Sequence, residues 1–214
     1  MIRLDVAVVA GGCVALGVGL AALVVGLPPV AGDLAGLVAS RVGDSGVTHP
    51  VTAVLLNFRA YDTLLEVAVL MIAALAARAL PAEQAEQRDT RPGSPVLEAL
   101  ARVALPLAIL VAVHLLLVGA SRPGGAFHAA AVLTGAGVLL RLAHELPAHA
   151  IAGERRASLL LVAGVAVFVA VGTGAAGVTG HFLGYPPAWA GELILLVESV
   201  LAVSIAFALW ALFP

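Results

Sequence analysis

The sequence predicts an all-α, polytopic membrane protein of about six transmembrane helices, and three observations carry that prediction. Of its 214 residues, 62% are hydrophobic and only 11% are charged, against about 45–50% and about 25% in ordinary soluble domains. A soluble fold of this size must still present a polar skin, and this chain has too few polar residues to make one. Mean hydropathy is high, at +1.09, and the apolar residues gather into long runs. Those runs are continuous rather than alternating, which favours helices over the strands of a membrane barrel.

The first run covers 6–27. It exceeds the about 7–15 apolar residues of a secretory signal, so it is expected to stay as a helix. A long mixed loop follows over 28–60. Its apolar middle, 51–56, is too short to span and is expected to be buried against other protein. The second span is read over 61–80. The polar stretch 81–94 has a proline near each end, five charged residues and a glycine, the composition of a flexible linker. It divides the chain into a two-span part, 1–80, and a four-span part, 95–214. Ser94 and Pro95 suit the N-cap and first position of the next helix. The remaining spans are read over 96–119, 127–146, 157–177 and 188–213. Glycine pairs such as Gly11-Gly12, Gly17 with Gly19, and Gly172 with Gly174 suit close helix packing in lipid.

All eleven basic residues are arginines. With the amino terminus inside, Arg3, Arg78, Arg88, Arg91, Arg102, Arg141, Arg155 and Arg156 fall on the cytoplasmic side. Arg41, Arg59 and Arg122 fall on the other. This asymmetry obeys the positive-inside rule and places both termini in the cytoplasm.

Several functions are excluded. A net charge of −2 and the absence of lysine leave no basic patch for nucleic acid. A single cysteine, Cys13, permits no internal disulfide, zinc cluster or iron–sulfur site. No phosphate-binding glycine loop and no nucleophile–base arrangement stands out. No cofactor and no covalent reaction are assigned.

What remains is a set of ionisable groups in or near the spans, which are costly in lipid and point to function by default. Arg59, Asp62 and Glu66 cluster at the start of the second span. Thr63 and Glu66 have capping-box spacing, and acids in a first turn suit the helix dipole, so capping and ion handling are both open there. Glu198 lies deep in the last span, where no capping role is expected for it. Pairing with an arginine of a partner subunit and proton or cation transfer are both open. His114, near the outer end of the third span, reads either as a packing residue or as a proton relay. His128 begins the fourth span. Arg141 and Glu145, four apart, are expected to pair. By depth, Glu66, His114 and Glu198 share the outer half of the membrane and are expected to line one half-channel.

Two segments carry a family resemblance. Residues 50–66, with Phe58-Arg59, Asp62-Thr63 and Glu66, resemble the carboxy-terminal region of the large A subunit of Mrp-type multisubunit Na⁺/H⁺ antiporters. A small subunit of membrane-bound hydrogenases is similar there too. Asn57, Ala60 and Leu65 depart from the usual Asp, Gly and Gly. Residues 105–119, the turn Pro123-Gly124-Gly125-Ala126-Phe127-His128 and the tail 191–203 with Glu198 are similar to the MrpB subunit. There Ala126 replaces Gly and His128 replaces Gln.

The resemblance implies an A-subunit tail fused to a B subunit and joined at 81–94. It implies a membrane subunit of an Mrp-like complex that moves protons and possibly Na⁺ alongside other antiporter-like membrane subunits. Glu66 is then the leading ion-transfer residue, shaped by Arg59 and Asp62 and assisted by His114 and Glu198. A redox-driven membrane arm, as in a membrane-bound hydrogenase, or a purely structural scaffold are the alternatives.

Overall fold

The computed structural model describes residues 2–26, 32–79, 94–143 and 154–213. The linker 81–93 and residues His144 and Glu145 lie outside these. Every long apolar run is helical, and no strand occurs among the described residues. The helices are α1 (Ile2–Val25), α2 (Leu34–Arg41), α3 (Pro50–Ala53), α4 (Ala60–Ala79), α5 (Pro95–Val118), α6 (Ala126–Leu142), α7 (Glu154–Thr179) and α8 (Ala190–Ala211). By length and composition α4, α5, α8 and Arg156–Thr179 of α7 can cross a membrane, while Ala10–Val25 and α6 are shorter apolar helices. The six expected spans therefore match six helices, with ends within a few residues of those read from hydropathy.

The chain divides into two compact units, Met1–Leu37 and Val38–Pro214. In the first, α1 is apolar around its whole circumference, with no acidic or basic residue after Asp5. Within that unit nothing packs against Gly11, Gly12, Gly17 or Gly19. Asp33 opens α2, its carboxylate accepting the Gly36 N–H at 2.8 Å, an ordinary N-cap.

In the second unit α8 is the central helix. It packs against α4, α6 and α7, and α5 packs on α6. Ten α8 residues are buried, among them Ile194, Val197, Leu201 and Ile205. They recur three and four apart, so one broad stripe faces the core. Close approach comes from small residues, as expected in lipid, but at Gly164 rather than at Gly174. A Cβ on Gly164 would lie 2.7 Å from the Ser204 side chain, whose hydroxyl donates to the Leu161 carbonyl at 2.8 Å. Thr134 joins α6 to α8, donating to the carbonyls of Ala130 at 2.8 Å and Ala206 at 3.3 Å.

Helix α5 begins at Pro95 as the sequence suggests, but the Ser94 hydroxyl makes no capping bond. The Ser94 backbone carbonyl instead accepts the Glu98 N–H at 3.0 Å. Arg141 donates to the Phe213 carbonyl at 2.6 Å, closing the end of α8, where an arginine suits the exposed carbonyls.

The stretch 42–59 is built as a short 3₁₀ turn (Val42–Ser45), α3, and one π-helical turn (Val54–Phe58) leading into α4. It lies on the α5–α6 turn. The Ala120 carbonyl accepts the N–H groups of Thr48 and His49 at 2.9 and 3.0 Å, and the Thr52 hydroxyl donates to Gly119 at 2.6 Å. The expected burial of 51–56 is therefore half met: Thr52, Ala53 and Leu56 are buried, whereas Val51 and Leu55 stay exposed. A short helix buries one side only.

Gly46 fixes where this stretch meets α8. Its φ is +79°, and a Cβ there would fall 2.4 Å from the Gly191 nitrogen. Gly46→Ala should cost about 1–3 kcal/mol, from left-handed strain and a backbone clash together. Gly43, which has nothing within 4 Å, is the matched control, with an expected change within about 0.5 kcal/mol. Thermal unfolding of the two variants in detergent checks the difference.

Candidate functional site

The starts of α4, α6 and α8 and the end of α5 meet at one end of the second unit, and the site is built there. Helix α5 stops at Gly119, and a tight turn through Gly124 and Gly125 launches α6. A Cβ on Gly119 would meet the Gly125 nitrogen at 2.5 Å, and one on Gly124 would meet the Leu115 carbonyl at 2.4 Å. Gly125 has φ of +95°, and a Cβ there would lie 2.5 Å from Glu198 Oε1. Backbone conformation and space both demand glycine at this position, which explains the Gly124-Gly125 pair in physical terms.

Glu198 accounts for that demand. It is 4% exposed and accepts the Ala126 N–H at 3.2 Å. Ala126 is the first residue of α6, so the carboxylate satisfies one of the donors that every helix start leaves free. An acceptor oxygen at that place also suits the positive end of the helix. Glu198 therefore does have a capping role, contrary to the sequence-based expectation, but for α6 rather than for its own helix. The partner is 72 residues away, out of reach of any local pattern.

Glu198 also lines a cavity of about 630 Å³, together with Glu66, His49, His128, Thr52 and Thr63 among apolar residues such as Leu55 and Leu201. Two of the three groups expected to converge, Glu66 and Glu198, do share it. His114 does not: it lies on the exposed face of α5 and takes no part in the lining. Glu66 and His128 are exposed, while Thr63 is buried. Among the described residues no group of three or more His, Cys, Asp or Glu is arranged to hold a metal ion.

The capping box is not formed. The π turn over Val54–Phe58, with Arg59 N–H bonded to the Val54 carbonyl at 2.7 Å, brings α4 to its start at Ala60. Thr63 then falls inside α4, and its hydroxyl donates to the Leu55 carbonyl at 2.6 Å. That leaves the Glu66 carboxylate without the reciprocal capping partner. π turns of this kind often mark functional sites.

Arg59 and Asp62 pair with each other at 2.5 Å, both well exposed, an arrangement worth about 0–1 kcal/mol. Neither lines the cavity, so Arg59 meets Asp62 rather than the cavity's carboxylates. Asn57 donates to the Ser45 carbonyl at 3.1 Å, a bond that an ionised Asp at this position would not make.

His49 was not foreseen, because a lone histidine in a loop carries no pattern. Its Nδ1 lies 3.2 Å from the Thr52 hydroxyl oxygen. That hydroxyl gives its only proton to Gly119, so Nδ1 is the donor and Nε2 is left as the acceptor of the neutral ring.

A family model described as a domain related to the MnhB subunit of Na⁺/H⁺ antiporter matches residues 96–213, which run from the start of α5 to the end of the described chain. The chain belongs to this family. It is thus a multi-pass membrane subunit of the Mrp-like antiporter type. No curated protein matches the chain. Two solved structures share its fold. A chain of the membrane-bound sulfane sulfur reductase, an archaeal respiratory membrane complex, superposes with a TM-score of 0.69 at 22% identity, covering 99% of this chain and 96% of that one. A chain of the Mrp complex from Dietzia sp. DQ12-45-1b superposes with a TM-score of 0.59 at 24% identity, over 96% of this chain. This MnhB-family chain spans about a quarter (26%) of the length of that second relative. Both relatives stand in multisubunit membrane complexes.

Outside the spans, Tyr185 sits in the α7–α8 connection, 6% exposed, with no partner for its hydroxyl. Burial pushes its pKa up to about 12. The folded chain keeps the phenolic proton where the unfolded chain loses it. Stability should therefore be flat below about pH 10 and fall between about 10 and 12. Tyr185→Phe should remove that alkaline fall without destabilising the chain at neutral pH, since an unpartnered hydroxyl contributes no bond. Unfolding curves at several alkaline pH values check both statements. At the cavity floor, Glu198→Ala should cost about 1–3 kcal/mol by orphaning the Ala126 N–H, and Glu198→Gln clearly less, because its amide oxygen still accepts. Thermal unfolding of the two variants separates them.

Proposed function

We propose that this MnhB-family chain takes part in ion translocation within an Mrp-like cation/proton antiporter complex, and that Glu66 is its exchanging group. The single observation that carries the reading is the cavity in which Glu66 and Glu198 meet His128 and His49 at one end of the helices. Glu66 has the properties that exchange requires: an exposed carboxylate that lines the cavity, free of the capping role its spacing suggested. Glu198 holds the α6 start beneath it and keeps the cavity floor in place. His128 and His49 add two imidazoles to the same lining. Protons are the transferred species, and Na⁺ fits the same carboxylate chemistry.

The chain joins an A-type tail, 1–80, to a B-type part, 95–214, through the charged linker 81–94. It works in the inner (plasma) membrane with both termini cytoplasmic, following its arginine distribution. Its partners are other antiporter-like membrane subunits. One observation favours a second reading: the respiratory complex chain corresponds to almost the whole of this one. In that reading the same cavity serves a redox-driven membrane arm.

Glu66→Gln in the assembled complex tests the proposal. Cation-driven proton movement in inverted membrane vesicles should fall to background while the subunits still co-purify. Normal transport by an assembled Glu66→Gln complex would overturn the role of Glu66. Redox proteins among the co-purifying subunits would move the complex to the second reading.

A further inference from the structure

The cavity holds a histidine that the role of Glu66 leaves unused. His49 stands just before α3, in the connecting stretch, whereas Glu66 belongs to α4, a helix able to span. Both line the cavity, and His49 is half-buried.

A row of groups joins the two. His49, Thr52 and Leu55 follow one another at intervals of three along α3 and the π turn, and Thr63 and Glu66 are three apart on α4. All five line the cavity. The Thr63 hydroxyl, on the Leu55 carbonyl at 2.6 Å, ties the two halves of the row together. A cavity of about 630 Å³ has room for several waters at about 30 Å³ each, and a polar strip gives them partners.

The hydrogen bonds of His49 fix how its ring can act. The Thr52 hydroxyl donates to the Gly119 carbonyl at 2.6 Å, so toward Nδ1, at 3.2 Å, it can only accept. The Nδ1 proton is thereby held in place, and Nε2 is left with the lone pair. A ring held in this way takes a proton at Nε2 and returns it from the same atom.

We propose that His49 is a proton-transfer residue of this cavity, which takes a proton from the aqueous side at Nε2 and passes it along the row to the Glu66 carboxylate. Hydronium gives up a proton to Nε2 and leaves as water. The imidazolium then gives a proton to the water along the row, and that water delivers one to Glu66. His49 returns to its neutral form as Glu66 becomes a carboxylic acid. The other titratable groups of the lining are His128 from α6 and Glu198 from α8, and Glu198 is engaged with the Ala126 N–H. The inference rests on the reading of Glu66 as the exchanging group.

His49→Asn and His49→Gln, in the assembled complex in inverted membrane vesicles, test it. Neither amide carries a proton between partners, but Asn places an N–H where Nδ1 stands and keeps the bond to Thr52. The maximal rate of cation-driven proton movement should fall at least about ten-fold in both variants, with the half-saturating cation concentration unchanged. A ring needed only for its bond to Thr52 would instead leave His49→Asn active and His49→Gln impaired. Transport at the wild-type rate by either assembled variant would overturn the proposal. Glu66→Gln measured beside them separates the two readings: an inactive Glu66→Gln with a fully active His49→Asn overturns the relay alone, whereas a fully active Glu66→Gln overturns the reading on which it rests.

Discussion

The start of a helix inside an apolar bundle is a problem that has to be solved before anything can be built around it. Its first N–H groups have no partner within the helix, and no bulk water is at hand. Here α6 starts beside Glu198, eight residues along α8 from Ala190, or about 12 Å into that helix. The carboxylate on the Ala126 N–H is the answer to that problem. Gly125 can have no side chain because the carboxylate occupies the space. The turn closes through Gly119 and Gly124, where no side chain fits, and it leaves the carbonyls of Gly119 and Ala120 free to accept from elsewhere. Those carbonyls receive Thr48, His49 and Thr52. The wall of the cavity thus follows, step by step, from one buried carboxylate.

The same chain of dependence shows what was legible in the sequence. Apolar runs placed the helices because burial in lipid requires a continuous stretch of about twenty residues and little else. The acids and histidines stood out because they are expensive where they lie. Glu66, Glu198 and His128 do share one cavity. The connections between them were not legible. Glu198 reaches Ala126 across 72 residues and Thr52 reaches Gly119 across 67, and no local spacing encodes either bond. Thr63 and Glu66 had the spacing of a cap, but a single π turn upstream moved the helix start and gave Thr63 a different acceptor. His114 was grouped with Glu66 by depth alone, and depth does not say which way a helix is rotated.

The two carboxylates of the cavity are unequal in a way that bears on mechanism. Glu198 is buried and carries a helix start, so any excursion of its side chain orphans a buried N–H, a loss of about 1–3 kcal/mol, and opens the space that Gly125 keeps for it. Such a group is suited to stay where it is. Glu66 carries no such duty. It is exposed and lines the same cavity from α4, one turn along from Thr63, whose hydroxyl is already committed to Leu55. A group that picks up an ion from one side and passes it on has to change partners during each cycle. That requirement points to the carboxylate that holds nothing else in place, and it makes the anchored one its fixed counterpart.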